Sequence, residues 1–414
     1  MTPIKVAFGS VPKDSGTFTF YRNLRPALKA YGIDLYCVTV GKKEFDLVEE
    51  SFIDDGCVLI ATESSDIKQQ SYEFSAWCEQ KSIDIVMAIN SVAMLSALPY
   101  LPRNIRVVSR CANGFDEGYR ITLSGRDRLM GIIALTPRLK DDLVERYAAN
   151  PDIIHLIPNG IDPAPFQAAT RTIDRSAQTA TAADSAPLQL SFMGRLEHKQ
   201  KGVLYLPAIV QELKRLKVNF RLRIAGKGVH RLLLERELKP YIESGEVEMM
   251  GAIAKNQVPH FLATTDVFLF TSHFEGCPNA LLEAMTAGCA PVVFLIKGIT
   301  DFLIEHGKSG FVAPMGDCEQ FAAHIAHMAA SREVQRQVSA AAAASAQARF
   351  TSNIAAERYA QLFHSVMQAS LPDYQPLPWS KFSVDPVYQK RWTAYLPQSV
   401  RTLAKRVVSS RVSV

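Results

Sequence analysis

The sequence contains no apolar run as long as the roughly 18 residues that a membrane-spanning helix needs. The chain passes from Met1 directly into a short apolar segment before Gly9, without the basic region and longer apolar stretch of a secretory signal peptide. Its seven cysteines are scattered and form no Cys-x-x-Cys pair. This pattern favours reduced thiols over a disulfide framework. We therefore expect a cytoplasmic protein without a membrane span.

An excess of one charge sign occurs only near the C-terminus. Seven Lys and Arg residues and one Asp lie between Trp379 and Val414, so this segment has a net charge of +6, whereas the whole chain has +5. The rest of the chain is therefore nearly neutral. A near-neutral body argues against a nucleic-acid partner, because such proteins carry a clustered basic surface.

Residues that bind metal ions are also sparse. The nine histidines are dispersed, and only His324 and His327 stand three residues apart on one alanine-rich helical stretch. A structural or catalytic zinc site takes three or four protein ligands, and no third one follows nearby. We predict that these histidines lie on a helix surface, and that the protein uses no metal ion and no cofactor.

Short β-branched runs alternate with helical stretches in two series. The first series of strands is expected at 4–8, 35–40, 83–89, 106–109 and 131–135, and the second at 188–193, 221–225, 246–249, 267–270 and 290–294. This alternation is typical of parallel sheets with helices on both faces. Between the two series, Ala168–Pro187 is rich in Ala, Thr, Ser and Asp, which indicates a flexible linker.

The pattern therefore predicts an α/β protein with two Rossmann-like domains. The expected parts are an N-terminal domain at 1–167, a linker at 168–187, a second domain at 188–352, a helix at 353–370 that returns to the first domain, and a basic tail at 371–414.

The second domain carries the residues with the clearest chemistry. Its first strand ends on Gly194-Arg195, and Lys201 follows before a helix. Ligands of open α/β sheets bind at the carboxyl ends of the strands, where an Arg fork and a Lys point charge suit a diphosphate. Surface charge on a loop is the alternative. After the next strand, Gly226 begins a Gly-Lys-Gly turn that permits either close approach of a ligand or simply a tight turn.

Residues 272–285 provide two glutamates directly after an apolar strand. Pro278 suits the first turn of a helix, whose free N–H groups can face an anion. Glu275 precedes this helix, and Glu283 lies about one and a half turns inside it. One carboxylate can then face a sugar while the other accepts hydrogen bonds from ribose hydroxyls. A solvated glutamate on a helix would show the same spacing.

Together these segments resemble the retaining glycosyltransferases of family 4, which have the GT-B architecture. The family signature places two Glu residues on either side of seven others, and the run Glu-Gly-Cys-Pro-Asn-Ala-Leu-Leu-Glu-Ala at 275–284 is similar to it. The order of Gly-Arg, Lys-Gly, Gly-x-Gly and the Glu pair is also similar. So are the segments at 157–162 with Phe166, 287–293, 298–301 and 310–312, and the resemblance covers about residues 131 to 365.

The resemblance implies a role for each matched residue. Arg195 and Lys201 would hold the donor diphosphate and neutralise the leaving group, Glu275 would contact the transferred sugar, and Glu283 would bind the ribose hydroxyls. The further donor-binding residues that it implies are Gly16, Gly194, Gly226, Gly276, Cys277, Pro278, Asn279 and Ala280. Because Arg and Lys stabilise the departing diphosphate, no Asp-x-Asp metal motif is required.

The N-terminal domain departs further from the family pattern. Family members often have a glycine pair after the first strand, whereas this chain has only Gly16. Many also have a His after a middle strand, near the reaction centre. No His occurs there, and Arg110 or Asn113 is the candidate for that position on the acceptor side.

We therefore predict a retaining, metal-independent glycosyltransferase with the donor site in the second domain and the acceptor site in the first. It would move a hexosyl group from a nucleotide-diphosphate sugar to a glycan or lipid-linked acceptor, in surface polysaccharide or glycolipid assembly. A sugar-nucleotide epimerase with the same architecture is one alternative. A degenerate transferase that serves as a non-catalytic subunit is the other.

The basic C-terminal segment suggests how the protein reaches a lipid-linked acceptor. From Pro397 onward, an apolar helical face (Val400, Leu403, Ala404, Val407 and Val408) lies opposite a basic one (Arg401, Lys405 and Arg406). Such a helix can lie on an anionic membrane surface, which would place the protein at the inner face of the membrane. Packing of this helix on the N-terminal domain is the alternative.

Overall fold

The computed structural model describes residues 2–172 and 186–388. The strands in these two ranges form two sheets. The first sheet contains β1 Ile4–Gly9, β2 Ile33–Val40, β3 Cys57–Ile60, β4 Ile85–Met87, β5 Arg106–Cys111, β6 Leu129–Ala134 and β7 Ile154–Leu156. The second contains β8 Leu188–Met193, β9 Phe220–Ala225, β10 Val247–Gly251, β11 Val267–Phe270, β12 Ala290–Phe294 and β13 Phe311–Ala313.

Both sheets are parallel, and their strand orders are nearly the same. The first has the order β3-β2-β1-β4-β5-β6-β7 and the second β10-β9-β8-β11-β12-β13. Every residue of β11 and β12 is buried, as expected for strands that are covered on both faces. The predicted fold class, two Rossmann-like domains with parallel sheets, is confirmed.

Helices connect the strands on both faces of each sheet. In the first half they are Gly16–Lys29, Lys42–Phe45, Ile67–Lys81, Val92–Ala97, Asp116–Thr122, Pro137–Glu145 and Ala164–Thr172. In the second half they are His198–Lys201, Leu206–Arg215, Arg231–Glu237, Lys239–Glu243, Val258–Ala263, Asn279–Thr286, Thr300–Leu303, Cys318–Ala330, Arg332–Arg349 and Ser352–Gln368.

Side-chain caps explain where several long helices begin. The Ser15 hydroxyl accepts a hydrogen bond from the Phe18 N–H at 3.3 Å, and the Asp66 carboxylate accepts one from Lys68 N–H at 2.8 Å. Thr351 likewise caps the last helix through the N–H of Ile354, at 3.3 Å. Each cap satisfies a backbone donor that the helix itself leaves unpaired. The Ser15 cap matters for the site, because it fixes the helix that begins at Gly16.

The connection between the sheets differs in one respect from the prediction. The helix Ala164–Thr172 continues for five residues into the segment expected to be a linker, because Phe166 is buried and keeps this helix on the domain surface. Of the remaining linker residues, 173–185 lie outside the described part of the chain. The helix Ser352–Gln368 returns to the first domain, where His364 contacts the Tyr31 carbonyl.

The structure also differs from the prediction at the start of the basic tail, which packs on the N-terminal domain. Residues 371–388 pack on the N-terminal domain, where Trp379 stacks on Tyr100 at 4.8 Å and the Tyr374 hydroxyl donates to the Pro99 carbonyl at 2.7 Å. Burial of these aromatic rings keeps the segment on the domain. Residues 389–414, which include the proposed amphipathic helix, lie outside the described residues.

Candidate active site

The topology of both sheets places a crevice at corresponding positions. The strand order reverses beside β1, which lies between β2 and β4, and beside β8, which lies between β9 and β11. Open α/β sheets bind ligands in the crevice outside the carboxyl ends of the strands at such a reversal. The two crevices face each other and form one cleft of about 1230 Å³ between the domains.

Three side chains from the second sheet converge in this cleft. Arg195 follows β8, Lys201 ends the short helix after it, and Glu275 follows β11. Lys201 Nζ donates to Glu275 Oε1 at 2.6 Å, and both side chains are largely withdrawn from solvent, with 19% and 9% exposed. The Arg195 guanidinium is exposed, and in the described residues no carboxylate lies within ion-pair distance of it. The positive charge of Arg195 is therefore available to an anion.

Two helix N-termini also point into the cleft. Gly16 begins the helix Gly16–Lys29, and Asn279 begins the helix Asn279–Thr286 on the opposite wall. A Cβ on Gly16 would lie 4.0 Å from the Asn279 amide nitrogen, so the two ends are close together. Neither helix has an acidic residue in its first turn. Free N–H groups and the helix dipole make each end suitable for an anion.

Cys277, Pro278 and Ala280, which the sequence predicts to bind the donor, line the cleft beside Asn279. The sequence had suggested that Pro278 lies in the first turn of the helix. In the structure it is the residue immediately before that turn. Burial raises the pKa of the Cys277 thiol to about 11, so this residue is a neutral thiol in the cleft wall.

Glu283 lies in the helix that begins at Asn279 and faces the cleft from below. Burial raises its pKa to about 7, and the nearby ammonium of Lys255 only partly opposes this. Lys255 comes from the 3₁₀ turn Lys255–Gln257, and its Nζ donates to Thr19 Oγ1 of the first domain at 2.6 Å. Loss of hydration and the nearby Arg22 lower the pKa of Lys255. Sequence analysis missed Lys255, because its position depends on how the two domains meet.

Glycines at the site serve two different purposes. A Cβ on Gly276 would lie 1.9 Å from the Ala112 carbonyl oxygen, so this glycine lets the loop of Glu275 pack on the end of β5. Gly194 lines the cleft, but Gly226 does not. A Cβ on Gly226 would lie 1.9 Å from the Gly194 carbonyl oxygen. The donor-binding role of Gly226 stays a prediction, and the close packing of two strand ends is by itself a reason for a glycine at this position.

The two residues proposed for the acceptor side differ in their surroundings. Asn113 is half-buried in the cleft wall. Arg110 is only 5% exposed, donates to Asn159 Oδ1 at 2.6 Å and to the Tyr359 hydroxyl at 3.2 Å, and lies over the Phe20 ring at 4.0 Å. Arg110 lines the cleft, but its guanidinium also binds residues of the protein itself. The sequence had led us to expect only a contact with an acceptor.

Asn159 extends this support to the donor side of the cleft. Its amide donates to Asn279 Oδ1 at 2.7 Å, while its oxygen accepts from Arg110. The resemblance had included Asn159 within the segment 157–162 without a role. An asparagine that donates and accepts in this way connects the two domains directly at the site.

Among the described residues, no three His, Cys, Asp or Glu side chains are grouped so that they could hold a metal ion. His324 stacks on the Phe311 ring at 4.9 Å, and His327 meets the edge of the same ring at 5.9 Å. In the described part of the chain, no helix is both long and apolar enough to cross a membrane.

Two family models match the chain, one in each domain. Residues 14–165 match the model described as Glycosyltransferase Family 4, and residues 187–331 match the model described as Glycosyl transferases group 1. The first range contains Gly16, Arg110 and Asn113, and the second contains Arg195 and both glutamates.

Curated relatives match over part of their length. The amylovoran biosynthesis glycosyltransferase AmsK of Erwinia amylovora is 31% identical over 186 residues, which are 42% of this chain and 44% of that protein. A component of the human phosphatidylinositol N-acetylglucosaminyltransferase is 30% identical over 175 residues, 42% of this chain and 34% of that protein. The chain thus spans less than half the length of these relatives.

Solved structures match over nearly the whole fold. HepE of Anabaena in complex with UDP superposes with a TM-score of 0.69 at 15% identity, over 87% of this chain and 100% of that one. At this identity the likeness concerns the fold, and it agrees with the two facing sheets described above. Each half of the chain thus matches a glycosyltransferase family model, and the two halves together have the GT-B fold.

Proposed function

We propose that this protein is a retaining glycosyltransferase that uses a nucleotide-diphosphate sugar as donor and needs no metal ion. The observation that carries the proposal is the convergence of Arg195, Lys201 and two helix N-termini on one cleft, which Glu283 also lines. A nucleoside diphosphate is complementary to this arrangement. Its anionic diphosphate would meet the positive charge, and its ribose hydroxyls would meet the Glu283 carboxylate.

In this proposal, the positive charge replaces a metal ion at the diphosphate. During transfer, the bond between the anomeric carbon and the phosphate oxygen breaks, and the acceptor hydroxyl oxygen forms the new bond while its proton is released. Negative charge grows on the diphosphate as it leaves, and positive charge grows on the sugar ring. In the proposal, Arg195 and Lys201 stabilise the negative charge on the diphosphate. The Glu275 carboxylate, which accepts from Lys201 at 2.6 Å, stabilises the positive charge on the sugar ring.

The acceptor would enter from the N-terminal domain, past Asn113 and the loop around Gly16. We propose a glycan or lipid-linked acceptor in surface polysaccharide or glycolipid assembly. AmsK is named for amylovoran biosynthesis, and the human relative is named for phosphatidylinositol, which supports an acceptor of one of these two kinds. The basic residues after Tyr388 would bring the protein to an anionic membrane surface at the cytoplasmic side.

The test is a donor panel of UDP-, GDP- and ADP-sugars without acceptor, with released nucleoside diphosphate as the readout. We expect one donor class to be slowly hydrolysed, and Glu275→Ala to lower this rate by about 10²- to 10³-fold, as expected for loss of one transition-state contact. Glu357→Ala, at an exposed position of the last helix, should hydrolyse the donor at the wild-type rate.

The same experiment distinguishes the alternatives. An epimerase would convert the nucleotide sugar into an isomer with the diphosphate still attached, and a non-catalytic subunit would leave it unchanged. Either result, or equal hydrolysis by wild type and Glu275→Ala, would overturn the proposal. With an acceptor present, NMR of the product should show the anomeric configuration of the donor.

A further inference from the structure

The short helix that carries Lys201 also positions Gln200 in the cleft. Glu197 caps this helix by accepting hydrogen bonds from the N–H groups of Lys199 and Gln200, at 2.7 and 3.0 Å. On its other side, the Gln200 carbonyl oxygen accepts a hydrogen bond from the His273 N–H at 2.8 Å. The backbone of Gln200 is therefore held both by its own helix and by the loop that leads to Glu275.

The side-chain amide of Gln200 connects two residues of the proposed site. Arg195 Nη2 donates to Gln200 Oε1 at 3.1 Å, and Gln200 Nε2 donates to Glu275 Oε2 at 3.5 Å, a long hydrogen bond. Lys201 donates to the other oxygen of Glu275. Glu275 is thus held at both oxygens, and Arg195 is linked to it through one amide.

An amide is the side-chain group that suits this position, since it accepts at one end and donates at the other. A carboxylate at position 200 would still accept from Arg195, but it would form an ion pair with the guanidinium and offer nothing to Glu275. The two carboxylates would instead repel each other. A neutral acceptor leaves the full charge of Arg195 for an incoming anion.

We propose that Gln200 is a positioning residue, which orients Arg195 toward the donor diphosphate and Glu275 toward the sugar while leaving the charge of Arg195 unpaired. This inference rests on the proposed function, because it assigns the anion to the donor diphosphate. Lys201 alone would hold Glu275 at one oxygen, and Arg195 would then be free to turn away from the cleft.

The test measures nucleotide affinity, which requires no acceptor. Wild type, Gln200→Glu and Gln200→Ala are titrated calorimetrically with UDP, GDP and ADP at pH 8. For the nucleotide that wild type binds, we expect Gln200→Glu to raise Kd by about tenfold or more. This is the effect of losing one charge-assisted hydrogen bond, that of Arg195 to the diphosphate. Gln200→Ala should raise Kd by only about two- to fivefold, since it removes the hydrogen bonds of the amide to Arg195 and Glu275 but adds no charge beside Arg195. Gln167→Glu, on an exposed helix outside the cleft, is the charge-matched control and should bind as wild type does.

Lowering the pH separates positioning from a general structural effect. As the introduced carboxyl takes up a proton, it becomes a neutral group that again accepts from Arg195 and donates to Glu275. The Kd ratio of Gln200→Glu to wild type should therefore fall as the pH is lowered from 8 to about 4, the range in which a glutamyl carboxyl ordinarily takes up its proton. The other charged groups around this position are Glu197, Lys199 and Lys201 on its own turn and His198 and His273 beside it. They are the same in Gln200→Ala, whose ratio to wild type should stay constant with pH.

The outcomes distinguish this inference from the proposed function. If wild type binds none of the three nucleotides, the proposed function fails, and the inference fails with it. If wild type binds one of them and Gln200→Glu binds it equally well at pH 8, or if the Gln200→Glu ratio does not change with pH, Gln200 has no positioning role. Unfolding midpoints of all variants show whether a loss of affinity reflects a loss of folding.

Discussion

Replacing Glu283 by Gln should make the ligand-free protein more stable at alkaline pH and weaken its affinity for a nucleotide. In the described residues, the Glu283 carboxylate has no hydrogen-bond or ion-pair partner, and burial raises its pKa from 4.5 to about 7. The folded protein therefore holds an ionised carboxylate in poorly hydrated surroundings whenever the pH is above 7. Glutamine has nearly the same shape and removes this charge.

The pH dependence follows from the direction of the shift. Below pH 4.5 the carboxyl is protonated in both folded and unfolded protein, so the substitution changes stability little. Between pH 4.5 and 7 the unfolded chain ionises first, which favours unfolding, and above pH 7 this effect is complete. A pKa rise of this size corresponds to about 3 kcal/mol. Because Glu283 is only half-buried at an open cleft, where solvent screens its charge, we expect about 1 kcal/mol at pH 8.

Urea unfolding of wild type and Glu283→Gln at pH 5 and pH 8 measures this difference. Glu357→Gln, at an exposed position of the last helix, is the matched control and should change stability little at either pH. At pH 8, Glu283→Gln should also bind its nucleotide more weakly, because an amide is a weaker acceptor for ribose hydroxyls than a carboxylate. A destabilised Glu283→Gln at pH 8, or an equal gain at both pH values, would refute the reasoning.

Three further predictions concern the metal, the domain contact and the tail. Transfer should persist in EDTA, because side chains and helix N-termini supply the charge, and an absolute need for Mg²⁺ or Mn²⁺ would contradict this. Gly276→Ala should lower the transfer rate at least about tenfold, since its Cβ would lie 1.9 Å from the Ala112 carbonyl oxygen and push the domains apart; a wild-type rate would exclude this contact as a requirement. The full chain should co-sediment with anionic liposomes at low salt and dissociate at high salt, whereas a chain ending at Tyr388 should stay in the supernatant; equal behaviour of the two chains would rule out the tail as the anchor.

Strong strands were predictable from sequence, whereas short edge strands were not. The runs at 188–193 and 290–294 contain enough apolar residues to identify a buried strand, and both occur as expected. The strands Cys57–Ile60, Ile154–Leu156 and Phe311–Ala313 have three or four residues each, too few for a periodic pattern. Their pairing depends on longer neighbours in the sheet, which local sequence does not contain.

The site was predictable where one segment of chain carries the chemistry. Arg195, Lys201, Glu275 and Glu283 lie in short motifs, and the structure brings all four to one cleft. Lys255 was missed because its contact with the first domain arises only when the domains meet.

Gly226 shows the opposite limitation. From sequence alone, a glycine that lets a ligand approach looks the same as one that lets two backbones pack, as Gly226 does against Gly194. Gln200 was missed for a related reason, because a glutamine between two cationic motifs indicates nothing until its two partners are known.

The most direct test of the central claim is calorimetric titration of UDP, GDP and ADP into wild type, Arg195→Ala and Lys201→Ala. Lys308→Ala, which removes a positive charge at an exposed position outside the cleft, serves as the control. We predict that wild type and the control bind one nucleotide with equal affinity. Arg195→Ala and Lys201→Ala should each bind it about tenfold or more weakly, because each lacks a charge-assisted contact to phosphate. Binding of that nucleotide with wild-type affinity by both Arg195→Ala and Lys201→Ala, or the absence of binding by wild type, would contradict the account.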